Sequence, residues 1–361
     1  MSSLYVHIPF CKAICSYCDF PKVIFKKEWA FSYLQALFVE LDHYEKKIYD
    51  TIYVGGGTPT SLSDEIFESL LKRLSFYRDE HTEFTIEANP DSLTDEKLSL
   101  CRIYGVNRLS IGMESSVTRL LTLMKRTHKY LDVICAVNRA KSFGFGNINV
   151  DLIYGFPEEN EVELKEDIHA ALSLDVPHIS AYTLSVSPGT LFYLKGVKEA
   201  EDDLAAKQYE MILSSFRGGG FSRYEVSNFA KKGFQCRHNL TYWKDKHYDA
   251  IGLGASGYCE NVRYTNTRNF TKYLKGEFRD FEEIVSPKDD LEYYFLTNLR
   301  LEEGFALNDF QSHFGFSFLY RYEKEFFTLR AQNLLKEEGE RIKPTDQGIL
   351  LLDRILLVLF P

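Results

Sequence analysis

The chain has 361 residues, 45% hydrophobic and 15% aromatic, which excludes intrinsic disorder and leaves core enough for a barrel-sized domain with an appendage. Its 43 basic and 52 acidic side chains give a net charge of −9, so a nucleic-acid partner held by broad phosphate contact is disfavoured. Of the seven cysteines, an odd number, three crowd into positions 11, 15 and 18; this is no secreted disulfide framework and points to the reducing cytoplasm.

The stretch before Cys11 has no basic region of the secretory-leader kind. The apolar tail Gly348–Phe360 is interrupted by Asp353 and Arg354, so no membrane span is expected. From Leu4 onward, short apolar runs alternate with helical patterns. The candidate strands are Leu4–Ile8, Thr51–Val54, Phe84–Glu87, Arg108–Ile111, Ile148–Ile153 and Ile179–Leu184. Between them lie helical patterns over Glu28–Tyr44, Asp64–Phe76, Asp95–Tyr104, Leu131–Phe143 and Leu164–Leu174. This order predicts an α/β fold with right-handed crossovers, a partial, open (β/α)6 TIM-like barrel. A doubly wound sheet is the alternative.

Polar and glycine-rich positions follow the strands: Cys11–Cys18, Gly55-Gly56-Gly57-Thr58, Glu87-Ala88-Asn89-Pro90, Gly112-Met113-Glu114-Ser115, and Asp151 within the fifth. In parallel sheets the C-terminal strand ends form the ligand-binding rim, so these motifs share one rim. Residues 1–216 are expected to form the barrel and 217–286 an extension carrying His238-Asn239-Leu240-Thr241-Tyr242-Trp243. Residues 287–361 read as a helical or winged-helix-like module. Its net charge of −4 argues against a nucleic-acid role.

Cys11-x3-Cys15-x2-Cys18 sits in a tight loop directly after a strand. Three thiolates so close can share one polynuclear centre, and an iron–sulfur cubane with three ligands leaves one iron open to an external chelator. The alternative is zinc, with His7 or Asp19 as fourth ligand, although structural zinc usually needs a second cysteine knuckle.

The run from Ser3 to Phe20, with its three cysteines, resembles the signature of radical S-adenosylmethionine (SAM) proteins. More narrowly it resembles the oxygen-independent coproporphyrinogen III oxidase-like group, whose HemW-type members are regarded as haem chaperones. The resemblance implies a [4Fe–4S] cluster on Cys11, Cys15 and Cys18. It also implies SAM contacts from Tyr5, Gly56, Gly57, Thr58, Glu87, Glu114, Arg126 and Asp151. Glu114 stands where the family usually has Gln and cannot donate as an amide does. Read without the resemblance, Arg126 would sit on a helix surface, whereas Asp151, a charge in an apolar strand, already needs a partner.

Two functions follow from the resemblance. One is a haem chaperone that passes haem to an acceptor protein; the other is an oxygen-independent coproporphyrinogen III dehydrogenase. Phe20, where the dehydrogenase would have a further cysteine, and the short segment before Cys11 favour the carrier. His238 is the candidate haem ligand, flanked by Tyr242 and Trp243; the alternative is a packed aromatic corner in which His238 only hydrogen-bonds. Cys101, Cys135 and Cys259 are expected in the core, Cys236 as a buried free thiol, and the aromatics from Phe310 to Phe327 as core on helical spacing.

Overall fold

The computed structural model describes residues 2–156 and 158–360. Each predicted strand forms, the first five one to three residues longer and the sixth shifted back by one residue: β1 Ser3–Ile8, β2 Thr51–Gly56, β3 Glu83–Ala88, β4 Arg108–Glu114, β5 Asn147–Tyr154 and β6 His178–Thr183. They pair in parallel, each with the next. The crossovers are the predicted helices, among them Lys27–Leu41, Asp64–Leu74, Asp95–Ile103, Tyr130–Ser142 and Glu161–Ser173.

Within the strands, side chains alternate with period two. Leu4, Val6, Ile8, Ile52, Val54, Phe84, Ile86, Leu109, Ile111, Ile148, Val150, Leu152 and Ile179 join one apolar core under the helices. The intervening residues are polar or tyrosine and face the other way, so Tyr5, Tyr53, Arg108, Asn149 and Ser180 line the concave interior. The interior of an ordinary TIM barrel is instead packed with branched apolar side chains.

Residues 217–286 contribute three further strands to this sheet, and Ser256–Cys259, Val262–Asn266 and Arg279–Ile284 form a separate antiparallel sheet. Ser222–Glu225 (β7) and Asn228–Ala230 (β8) extend the sheet beyond β6 as an antiparallel pair, and Asp249–Ile251 (β9) adds a parallel strand beside β1. The sheet order is β9-β1-β2-β3-β4-β5-β6-β8-β7, with β9 and β7 as unjoined edges, so the barrel is open. The short helix Arg237–Trp243 packs under the N-terminal end of the sheet. Its first N–H groups, from Arg237 and His238, donate to the Glu83 carboxylate at 3.1 and 3.0 Å, which satisfies the exposed positive end of the helix.

Residues from 287 onward have a core of their own, in which Phe295, Phe305, Phe310, Phe318 and Phe326 stack edge to face. Helices Pro287–Asn298, Leu307–Phe314, Glu323–Ala331 and Leu352–Leu359 surround a three-stranded sheet whose hairpin, Leu335–Glu338 with Arg341–Pro344, forms the wing. The aromatics at 310, 318, 322 and 326 are buried as their spacing predicts, while Phe314 and Phe316 are half-buried and Tyr320 and Phe327 face solvent. Cys101 is buried, but Cys135 is exposed and Cys259 half-buried. The reason at 135 is helical phase: Val133, Ala136, Val137 and Ala140 take the inward face of Tyr130–Ser142. Among the described residues no helix is long and apolar enough to cross a membrane.

The two cores are joined by ion pairs on Arg223 of β7. Its guanidinium, 1% exposed, meets Glu302 and Asp346, both from beyond residue 287, and Asp346 also takes Arg217 at 2.9 Å. Removing that charge leaves Glu302 without this partner and Asp346 with Arg217 alone. Arg223→Met is expected to lose about 1–3 kcal/mol, read as a lower Tm together with faster proteolysis near residue 287. An unchanged melt and digest would separate the ion pairs from the domain contact.

Candidate functional site

The cysteine loop is held at both ends. Phe10–Cys11 pairs in parallel with Val23–Ile24, and Ser16 N–H donates to the Met124 carbonyl at 2.9 Å. Cys11 is 9% exposed, and Cys15 and Cys18 are half-buried on the wall of a cavity of ≈ 390 Å³ at the C-terminal ends of the strands. Burial first, then the Cys18 and Cys15 thiols, push Cys11 up to about 12. Bare Cys11 is therefore unfavourable as a thiolate here, and a bound metal ion would deprotonate it outright.

The predicted rim converges on this cavity. Gly56, Gly57, Thr58, Glu87, Glu114, Arg126 and Asp151 all line it. Tyr5 does not: it lies deeper, lining the chamber inside the barrel, with its hydroxyl 3.0 Å from His7 Nδ1 and its ring stacked on Tyr53. The glycine triplet is dictated from two sides. A Cβ at Gly55 would lie 2.6 Å from the Glu87 carboxyl carbon, and one at Gly57 would lie 2.8 Å from the Phe10 carbonyl oxygen. Gly56 has φ of 109° and donates its N–H to Glu87 Oε2 at 2.9 Å. Tyr53 donates to Oε1 at 2.8 Å. Burial nevertheless pushes Glu87 up to about 7, opposed by these bonds and reinforced by Asp151.

Arg126 is not on a helix surface. It follows the short helix Thr118–Leu123, and its side chain, 6% exposed, turns inward. Nη2 donates to Asn89 Oδ1 at 2.8 Å and Nη1 to Cys15 Sγ at 3.3 Å, while Nε has no hydrogen-bond partner. Glu114 faces it, with Oε2 3.2 Å from Nη2 in an orientation that makes no hydrogen bond. A register shift between Gly112 and Glu114 and a φ of 56° bring Glu114 to this position, a conformation costly for a residue with a Cβ. Tyr17 donates to its Oε1 at 3.2 Å. Asp151, whose carboxyl burial pushes up, accepts from Asn149 at 2.8 Å and Ser110 at 3.2 Å.

This donor set fits an iron–sulfur cluster with a zwitterionic ligand. Three thiols share one wall, and buried polar atoms on Arg126 and Glu114 are left unpaired toward the same space. The zinc alternative would need a fourth ligand released from its present hydrogen bonds. His7 is bonded through both nitrogens, to Tyr5 and to the Pro21 carbonyl at 2.8 Å, and Asp19 accepts from Ser187 at 2.9 Å. Among the described residues no group of three or more His, Cys, Asp or Glu is spaced for a single metal ion. A cluster with one thiolate per iron spreads its ligands more widely.

His238 lies at the opposite end of the strands. Its Nδ1 is 2.7 Å from Thr51 Oγ1 and its Nε2 is 2.7 Å from the Tyr242 hydroxyl, and it is 1% exposed. Burial lowers it to about 3, so it is neutral. Thr51 begins β2 and Gly56 ends it, which separates the imidazole from the cysteine rim by roughly 17 Å at strand rise. Cys236 is buried, with its thiol donating to Glu83. Sequence reasoning missed Tyr17 and Asn89, although both sit inside motifs already singled out.

Comparison with known proteins gives a consistent result. The radical SAM superfamily model matches residues 5–171, and the HemN C-terminal domain model matches residues 285–351. The heme chaperone HemW of Lactococcus lactis is 37% identical over 356 residues, covering 96% of this chain and 94% of that protein. The heme chaperone HemW of Bacillus subtilis is also 37% identical, with 97% of each chain covered. Among solved structures, coproporphyrinogen III oxidase (HemN) from Escherichia coli superposes with a TM-score of 0.86 at 20% identity, covering 99% of this chain and 89% of that one. At that identity the likeness concerns the fold.

Glu114 offers a direct measurement of the cavity's electrostatics. Burial raises its carboxyl from 4.5 to about 7 despite Arg126, so the folded chain holds this proton where the unfolded chain has released it. Stability from this group is therefore present at low pH and lost as pH rises from 4.5 through 7. Glu114→Gln is expected to match the unsubstituted chain at pH 5 and to exceed it by about 1–3 kcal/mol at pH 8. Thermal melts of the metal-free chain across that range report it; a gap that shrinks with rising pH is the contrary result.

Proposed function

Because the chain belongs to the HemW family of radical SAM proteins, we propose that it is a haem chaperone, binding haem and handing it to an acceptor protein. In this reading Cys11, Cys15 and Cys18 hold a [4Fe–4S] cluster whose fourth iron is left for SAM. Gly56, Gly57, Thr58, Glu87, Glu114, Arg126 and Asp151 surround the SAM, and Tyr5 closes the inner side. When bound, the cluster supplies a one-electron reducing centre beside the sulfonium.

The observation that carries the cofactor assignment is the convergence of five separate motifs on one cavity lined by Arg126 and Glu114, whose buried Nε and Oε2 have no hydrogen-bond partner. Each residue's task follows from its chemistry. Arg126 presents a guanidinium to a carboxylate and also donates to Cys15 Sγ, which lowers electron density on that sulfur. Asp151, already braced by Ser110 and Asn149, has lone pairs left for ribose hydroxyls. Glu87 and Glu114, held near neutrality in the pH scale, accept from the ammonium or a hydroxyl according to protonation. The half-buried wall limits water around them.

The carrier is favoured over the dehydrogenase by the family of the relatives and by Phe20, which is 58% exposed at the cavity lip where a further thiol would mark the dehydrogenase. His238 is kept as the proposed haem ligand. Ligation requires its Nε2 to exchange the Tyr242 hydroxyl for iron.

Anaerobically reconstituted protein is expected to show cubane absorption that Cys11→Ala abolishes, and a saturable Soret shift on haem titration that His238→Ala weakens. It is expected to leave coproporphyrinogen III unchanged under reducing, oxygen-free conditions. Robust decarboxylation would reverse the choice toward the dehydrogenase, and an unchanged titration in His238→Ala would return that residue to bracing Thr51 and Tyr242.

A further inference from the structure

Below the cysteine cavity the inner faces of the strands enclose a second chamber of ≈ 580 Å³, which shares Tyr53, Glu87, Ser110, Asp151 and Tyr182 with the first. Most polar groups in its wall are paired with one another. Asn149 Nδ2 donates to Ser110 and Asp151, Ser180 Oγ is bonded to Asn149 and Asn228, and His238 to Thr51 and Tyr242.

Arg108 breaks this pattern. It opens β4, lines the chamber and is 2% exposed, yet its Nε has no hydrogen-bond partner, and among the described residues its guanidinium has no ion pair. The Glu83 carboxylate favours the cation through space but makes neither an ion pair nor a hydrogen bond with it; its bonds go to the Cys236 thiol and the N–H groups of Arg237 and His238. Thr85, in register with Arg108 across the sheet, has a buried hydroxyl that is likewise unpartnered. A buried guanidinium that lines a chamber and makes no direct ion pair or hydrogen bond there is a candidate anchor for an anionic ligand.

A planar fork of donors matches a carboxylate in two parallel hydrogen bonds. Beside it Tyr5 stacks on Tyr53 at 6.3 Å and Tyr53 on His238 at 5.2 Å, a continuous ring surface suited to an apolar or flat body. We propose that Arg108 anchors the carboxylate of an organic anion within the barrel, at a subsite separate from the cysteine cavity. The carboxylate can be that of a free monocarboxylate or the side arm of a larger ligand such as haem. The subsite stands on Arg108 and the chamber alone; only the haem arm of its test rests on the carrier reading.

The experiment uses the reconstituted full chain with SAM saturating, so that SAM's own carboxylate is already placed. Sodium propionate, compared with chloride at equal ionic strength, is expected to raise Tm saturably. The rise is lost in Arg108→Met and weakened roughly tenfold in Arg108→Lys, whose ammonium cannot form the fork. In parallel, haem and its dimethyl ester are titrated by Soret shift. Preference for the free acid that disappears in Arg108→Met identifies the side arm as the source, whereas a propionate response with no ester discrimination identifies a free carboxylate. A propionate response in a protein that binds neither haem nor its ester sinks the carrier and keeps the subsite. Indifference of the unsubstituted chain to both propionate and esterification overturns the proposal, and that comparison stands even if Arg108→Met does not fold.

Discussion

The period-two alternation of the barrel strands is the constraint on which the rest of the structure depends. A strand covered by helices on one side must bury that face in apolar side chains. Here the other face turns inward and carries Tyr, Ser, Asn, His, Arg and acids instead of the usual branched residues. A lumen so lined cannot collapse into dry packing, because each polar group needs a partner. The residues meet that demand by bonding to one another in layers, and where they do not, open space remains. Both chambers therefore follow from one sequence pattern.

Much of this was legible beforehand. The six parallel strands and their helices could be read from apolar runs and spacing, since strong local patterns and short connections leave few topologies. The rim residues could be placed because parallel strands deliver their C-terminal ends to one side. The alternation itself was present in Ser3-Leu4-Tyr5-Val6-His7-Ile8 and in Glu83-Phe84-Thr85-Ile86-Glu87, but an expectation of buried parallel strands hides it. The three strands that residues 217–286 add to this sheet were not legible. They are three or four residues long, and their pairing is non-local, so nothing in their own sequence says which edge they join.

Side-chain direction explains the remaining differences at the site. Tyr5 precedes Cys11 by six residues, yet odd positions of β1 face inward, so the hydroxyl meets His7 in the lumen and not the cysteine wall. Arg126 follows a helix too short to display it outward, and Asn89 and Cys15 draw its guanidinium in. His238 is fixed by the helix that carries it: with Glu83 at the N-terminus of that helix, the imidazole must point at the start of β2. Each of these placements depends on contacts between segments distant in the chain, which periodicity does not report.

The cysteine loop is clamped by strand pairing at Phe10–Cys11 and by Ser16, whose N–H reaches Met124 and whose carbonyl receives Phe192 N–H at 2.9 Å. Its shape is braced by protein contacts on three sides. A loop so braced has less conformational freedom to lose on taking up a cofactor than a zinc finger that folds only when loaded. The packing that holds the barrel together is therefore distinct from the thiols that would grip a metal, so that scaffold and grip answer to different residues of the same chain.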